Sequence, residues 1–233
     1  MNETIELRPQ SRATAKNAVL ENAFASVSDL EQLHPALHLL AHPATQGCQA
    51  LFTRCYEAGE NAAALPDAIM QTSTPWLQSG GLLCAAAGKL NAQRQPLTHN
   101  RLCDLAGKLS TGIADPDSEA RSSFYTVRSI SLPVYRRLMR DAHPASVCLQ
   151  QALLHLLAWR SESQWARQQA QRLLWQGGVL GEKGEFALMT LDDELRERQV
   201  EWPALWSLLA VTGFLVRFPA GPLFPDEGTE SHS

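Results

Sequence analysis

Apolar residues along this chain recur at intervals of three and four, and almost no stretch alternates with a period of two. Leu and Ala fill most apolar positions while Val, Ile and Thr are sparse, a choice that suits helices better than strands. The pattern predicts an all-α fold: one compact domain over residues 1–218, of about ten helices. A tail over 219–233, with Pro222, Pro225, Gly228 and several serines, reads as disordered. The organising stretch is Ser79-Gly80-Gly81-Leu82-Leu83-Cys84-Ala85-Ala86-Ala87-Gly88-Lys89-Leu90, within a predicted helix over about 76–91. It is apolar on every side, as a buried helix is. Gly81, Ala85 and Gly88 share one face, where other helices can approach closely. Pro75, after the turn Thr72-Ser73-Thr74, suits the first helical position.

Around this axis the pattern predicts a helix over 12–26 capped by Ser11. A second, over 29–41, carries the stripe Leu30, Leu33, Leu37 and Leu40, with Ser28 and Glu31 as a capping box. A third covers 44–58 and stops at Gly59, and a fourth covers 61–72, interrupted at Pro66. Thr98 caps a helix bearing Leu102, Leu105 and Leu109; residues 111–123 read as an exposed loop. Pro133 starts another helix. Segments 145–159, 162–176, 182–199 and 203–218 complete the set, with Gly177-Gly178 ending the second of these four.

Of the 233 residues, 45% are hydrophobic and 19% charged, enough for a sizeable core. The net charge of −4 argues against a nucleic-acid partner, and no basic run suggests a membrane surface. The longest apolar run, 203–216, is interrupted and short for a bilayer, so it reads as a buried helix. The N-terminus is polar and acidic, unlike a signal peptide. Cys48, Cys55, Cys84, Cys103 and Cys148 form no C-x-x-C pair and read as reduced core thiols of a cytoplasmic protein.

Three patterns invite chemistry. His34, His38 and His42 recur every fourth residue, a spacing that could share a metal, although Pro35 interrupts it and surface or helix-end histidines are the better reading. The glycine-rich segment 177–184 lacks the Gly-Lys-Ser/Thr order of a phosphate loop and reads as a helix end and turn. Asp192, Asp193 and Glu194 read as a solvated helix face paired with Arg196 and Arg198. Trp159, Trp165, Trp175, Trp202 and Trp206 read as core packing.

The central helix resembles that of the triphosphoribosyl-dephospho-CoA synthases. In that family G-V-N-T-H-K-G leads into F-S-L-G-L-L-C-A-A, and here Gly81-Leu82-Leu83-Cys84-Ala85-Ala86 matches. The likeness continues through Gln95-Pro96-Leu97-Thr98, Val127, Leu132-Pro133, Leu153 to Ala158, Trp165, Gln169-Ala170-Gln171 and Gly177-Gly178. It ends with Asp192, Glu194, Glu197-Arg198 and Phe214-Leu215, so it covers about 79–217. The polar motifs differ. T-H-K-G is replaced by Thr72-Ser73-Thr74-Pro75, and G-A-R-G-E falls on Asp115-Pro116-Asp117-Ser118-Glu119. The D-T-N…R-G-G segment has no counterpart.

The resemblance implies a helical fold and, in the parent family, transfer from ATP to dephospho-CoA with release of adenine. It marks Thr72, Glu119 and Asp192 as family-position candidates. With the Lys, Arg and Gly residues gone, the expectation is a catalytically degenerate relative acting as a binding, regulatory or accessory protein. No cofactor is expected; ATP with Mg²⁺ and dephospho-CoA enter only if the family activity survives. An acyl carrier protein or an active paralogue is the expected partner. A divergent transferase and a homodimer joined through the Trp-rich C-terminal helices stay open as alternatives.

Overall fold

In the computed structural model, which describes residues 9–33, 37–40, 48–113 and 118–219, the predicted central helix is the axis of the molecule. This helix, α4 below, spans Pro75–Ala92, and every residue from Gln78 to Gly88 is buried. The chain reaches it through α1 (Pro9–Gln32), a 3₁₀ turn at His38–Leu40, α2 (Cys48–Glu60) and the one-turn α3 (Asp67–Met70). It continues through α5 (His99–Ser110), α6 (Ser118–Arg121), a π-helical turn at Val127–Ser131, α7 (Leu132–Arg140) and α8 (Ala145–Arg160). Then follow α9 (Gln164–Trp175), a 3₁₀ turn at Gly178–Leu180, α10 (Gly184–Glu197) and α11 (Leu205–Leu215). There is no strand among the described residues. The expected tail lies, over residues 220–233, outside the described residues; Pro219 itself is held, its carbonyl accepting the His99 N–H at 2.8 Å.

The small-residue face of α4 does what its spacing implies. A Cβ on Gly88 would lie 2.0 Å from the Tyr56 carbonyl oxygen, and one on Gly59 would lie 1.9 Å from that of Ala85. Two backbones therefore touch where α2 crosses α4. Gly59 lies inside α2 rather than ending it, because this close approach needs a residue without a side chain. The left-handed position after the helix falls to Ala62, at φ 52°. Trp76 closes the start of α4, packed edge-on between Phe52 (5.5 Å) and Trp206 (6.2 Å).

Several boundaries depart from the sequence expectation. No break occurs at Ser28, because α1 runs through it: Val19, Ala23, Val27 and Leu30 form one buried stripe, and burial outweighs the capping preference of Ser28. The helix expected over 29–41 is thus absent as a unit, and His38 begins a 3₁₀ turn instead. The segment 61–72 keeps only α3, since the chain turns at Ala62 and extends to Pro66 before the helix can start. Part of the loop expected over 111–123 is α6, whose Ala120 is fully buried against α5. Pro133 stands in the first turn of α7, as expected, and the helix is entered from the π turn before it. Widening the helix there accommodates a residue that has no N–H and crowds the preceding turn. The cap at Thr98 forms as expected, its side-chain oxygen accepting the Arg101 N–H, and Ser163 caps α9 in the same way through the Ala166 N–H. Gly177, at φ 101°, ends α9.

These contacts give α4 two poles. The starts of α4 and α11 meet at Trp76 and Trp206. Beyond the ends of both helices, Pro219 meets His99 at the start of α5. One pole therefore gathers the beginnings of α4 and α11, and the other gathers their ends.

Candidate functional site

The three family-position candidates lie on separate elements, and each spends its polar atom on nearby backbone. Thr72 Oγ1 accepts the Thr74 N–H at 3.1 Å, shaping the turn into α4. Glu119 Oε2 accepts the Thr126 N–H at 3.2 Å, ahead of the π turn. Asp192 accepts the N–H groups of His38 at 2.6 Å and Leu39 at 3.3 Å, with Arg196 at 3.9 Å. Asp192 is 3% exposed, so it is a buried anchor for the 3₁₀ turn and not part of a solvated face. Of the histidine series, His34 and His42 fall outside the described residues. His38 is held by its backbone, and α1 ends at Gln32, so the series does not line one helix. No group of three or more metal-ligating side chains occurs among the described residues.

A different constellation occupies the opposite pole. A cavity of about 610 Å³ lies between the start of α5, the wall formed by the π turn and α7, and the residues after α11. Its cationic lining is Arg128, Arg136, Arg140 and Arg217, joined by His99. Leu132, Met139 and Phe218 supply an apolar side. The π turn and α7 form one continuous helical wall, which brings Arg128, Leu132, Arg136 and Arg140 to a single face.

Neighbours neutralise this cluster only in part. Arg128 bonds Asp104 at 3.0 Å and Asn100 at 2.7 Å, and Arg217 bonds Asp29 at 2.9 Å. Arg136 donates to the Phe218 carbonyl, but its Nε is buried without a partner. Arg140 is exposed and makes no hydrogen bond or ion pair to a described residue. His99 Nδ1 is likewise buried and unpartnered. Burial, with the Arg136 and Arg128 guanidiniums nearby, outweighs an opposing side-chain hydrogen bond to Asn100 and pushes the His99 pKa down to about 4, so its imidazole is neutral at pH 7. Burial, and then the Arg140 charge, also lowers the pKa of Arg136. The lining is thus several cations and a neutral imidazole whose mutual repulsion an anion would relieve.

Elsewhere, reactivity is suppressed. All five cysteines are buried and unpaired, as expected. Burial raises every thiol, Cys55 and Cys103 to about 12, so none is a ready nucleophile. The tryptophans divide. Trp206 packs in the core, whereas Trp159 and Trp175 are 59% and 90% exposed, contrary to the core reading. Trp165 and Trp202 are half-buried against the core, as expected, and Trp165 also carries the Arg198 guanidinium 3.9 Å above its ring. The sequence reading missed the arginine pocket. Its available signal was the spacing of Arg128, Arg136 and Arg140 by eight and four, one basic stripe flanking Pro133.

Fold and site together define an all-α scaffold with a cationic cavity at one end of a buried helix. Comparison with known proteins places it among relatives. The chain is 38% identical over 182 residues to a protein of Salmonella gallinarum (strain 287/91 / NCTC 13346) named "Probable 2-(5''-triphosphoribosyl)-3'-dephosphocoenzyme-A synthase"; the match covers 63% of this chain and 60% of that one. The synthase of that name from Klebsiella pneumoniae is 38% identical over 181 residues, covering 62% and 60%. That of Escherichia fergusonii is 34% identical over 185 residues, covering 64% and 61%. Over the matched segment the chain is thus similar to proteins named as triphosphoribosyl-dephospho-CoA synthases, in keeping with the resemblance of its central helix. The matched segment spans about 60% of the length of these curated relatives. No family model matches the chain, and no solved structure matches it.

Proposed function

We propose that this protein is a catalytically degenerate relative of the triphosphoribosyl-dephospho-CoA synthases, acting as a binding or accessory protein in acyl-carrier or CoA-derived prosthetic-group metabolism. The observation that carries this reading is the state of the pole at the start of α4. Thr72-Ser73-Thr74-Pro75 stands there where the resembled motif has His, Lys and Gly, and the Thr72 hydroxyl is occupied by the turn itself. Transfer involving a triphosphate needs cations and backbone donors fixed around the departing charge. Each such donor contributes roughly 3–4 kcal/mol, so losing several removes many orders of magnitude in rate.

The test is to incubate the full chain with ATP, Mg²⁺ and dephospho-CoA and to follow adenine by chromatography. The expected result is no adenine above the protein-free control. Catalytic adenine release with formation of the triphosphoribosyl product would overturn the reading.

A second reading, a partner protein or homodimer, draws support from one surface. Trp175 at the end of α9 is 90% exposed, and Phe186 on the adjoining α10 is 69% exposed. Sedimentation equilibrium tests it. A dimer disrupted by Trp175→Ser is the expected outcome of that reading, and a strictly monomeric mass contradicts it. No helix among the described residues is long and apolar enough to cross a membrane.

A further inference from the structure

We infer that the cavity between α5, α7 and the end of α11 is a binding site for an organic phosphate ester, its phosphate end held by Arg136 and Arg140 and its apolar body against Leu132, Met139 and Phe218. No established role covers this site, and the residues at the start of α4 lie at the other pole. The inference stands apart from the proposed loss of catalysis: adenine release would overturn that reading and leave a titration of this pocket unaffected.

Geometry and chemistry converge on the assignment. The cavity, about 610 Å³, suits a small molecule. Its guanidiniums come from different elements, Arg136 and Arg140 from α7 and Arg217 from beyond α11. Arg136 and Arg140, one helical turn apart on α7, can each take a different oxygen of a tetrahedral phosphate, whereas a planar carboxylate is satisfied by a single guanidinium fork. Two of the buried side-chain polar atoms without a partner, Arg136 Nε and His99 Nδ1, belong to residues that line this cavity, where an occupant could satisfy them. Two carboxylates stand nearby. Asp104 and Asp29 already pair with Arg128 and Arg217, which leaves Arg136 and Arg140 as the groups with charge to offer.

The experiment is isothermal titration of the full chain with inorganic pyrophosphate, ADP and succinate. The expected result is saturable one-to-one binding of pyrophosphate, tighter binding of ADP through the apolar wall, and much weaker binding of succinate. Arg140→Ala, an exposed position, weakens ADP by about tenfold or more, and Arg136→Ala does the same where circular dichroism confirms its fold. Arg137→Ala, exposed on the same helix but outside the cavity, leaves binding within about twofold. Histidine NMR adds a site-specific readout, with bound ADP raising the His99 pKa. Absence of saturable binding, succinate as tight as pyrophosphate, ADP no tighter than pyrophosphate, or equal loss in Arg137→Ala each overturns the inference.

Discussion

The two ends of α4 differ in what their polar groups do. At the start of the helix they are turned inward on the chain: the Thr72 hydroxyl holds its own turn, and Trp76 seals the end between Phe52 and Trp206. Past the end of the helix, guanidiniums converge on open space, and two buried nitrogens lack partners. Unpartnered buried polar atoms occur at both poles, Trp76 Nε1 and Ser79 Oγ at the start of α4 included, so the poles differ in charge and open volume: packed aromatic rings at one, guanidiniums lining a cavity at the other. A shared core does not imply a shared site. The residues that keep the axis buried are separate from those that set the chemistry at either end, so one end can change while the other persists.

Both poles hang on the α2–α4 contact, so breaking it gives the largest effect. Gly88→Ala places a methyl group 2.0 Å from the Tyr56 carbonyl oxygen, a backbone atom that cannot swing aside. Ala is ordinarily favoured over Gly in a helix by about 1 kcal/mol. Here the substitution is expected to destabilise the fold by at least about 3 kcal/mol, read as a lower urea midpoint. Unchanged or raised stability would show that the two backbones do not touch.

Next in size is Asp192, a family-position residue read here as an anchor. Asp192→Ala leaves the buried Leu39 N–H and the neighbouring His38 N–H without their acceptor. The expected loss is about 2–3 kcal/mol, with Asp192→Asn recovering part of it by keeping one oxygen. An Asp192→Ala variant of wild-type stability would return this carboxylate to the list of groups free for chemistry.

A smaller effect distinguishes the cationic pole through pH. His99 titrates at about 4 in the folded chain, against an ordinary 6.5. Between those values the unfolded chain binds the proton and the folded chain does not, so stability rises with pH across this window and falls as pH drops through it. The contribution is about 2 kcal/mol between pH 7 and pH 4 after allowing for partial exposure of the ring. His99→Gln should flatten this part of the stability profile. A profile identical to wild type would mean that neither burial nor the nearby Arg136 and Arg128 charges hold the ring neutral.

Much of this architecture was legible in the residues. The spacing of Gly81, Ala85 and Gly88 located the axis and its close-packed face, and Thr98 announced its helix through ordinary capping chemistry. Ser28 and Gly59 misled for one reason. Both carry strong local end-of-helix preferences, yet both sit where packing against another helix matters more. Asp192 looked solvated because its neighbours Asp193 and Glu194 are; only the chain fold brings His38 to it across 154 residues. The arginine pocket was hidden by a net charge of −4 and by assembly from distant parts, with His99, Arg136 and Arg217 meeting only once α5, α7 and α11 pack.

The contrast between the poles is tested most directly by one amide-resolved NMR titration with ADP. The account predicts shifts confined to the neighbourhood of His99, Arg136, Arg140 and Arg217, with Thr72 to Trp76 unmoved. Perturbation centred on Thr72, Ser73 and Thr74, with the arginine pocket silent, would contradict it.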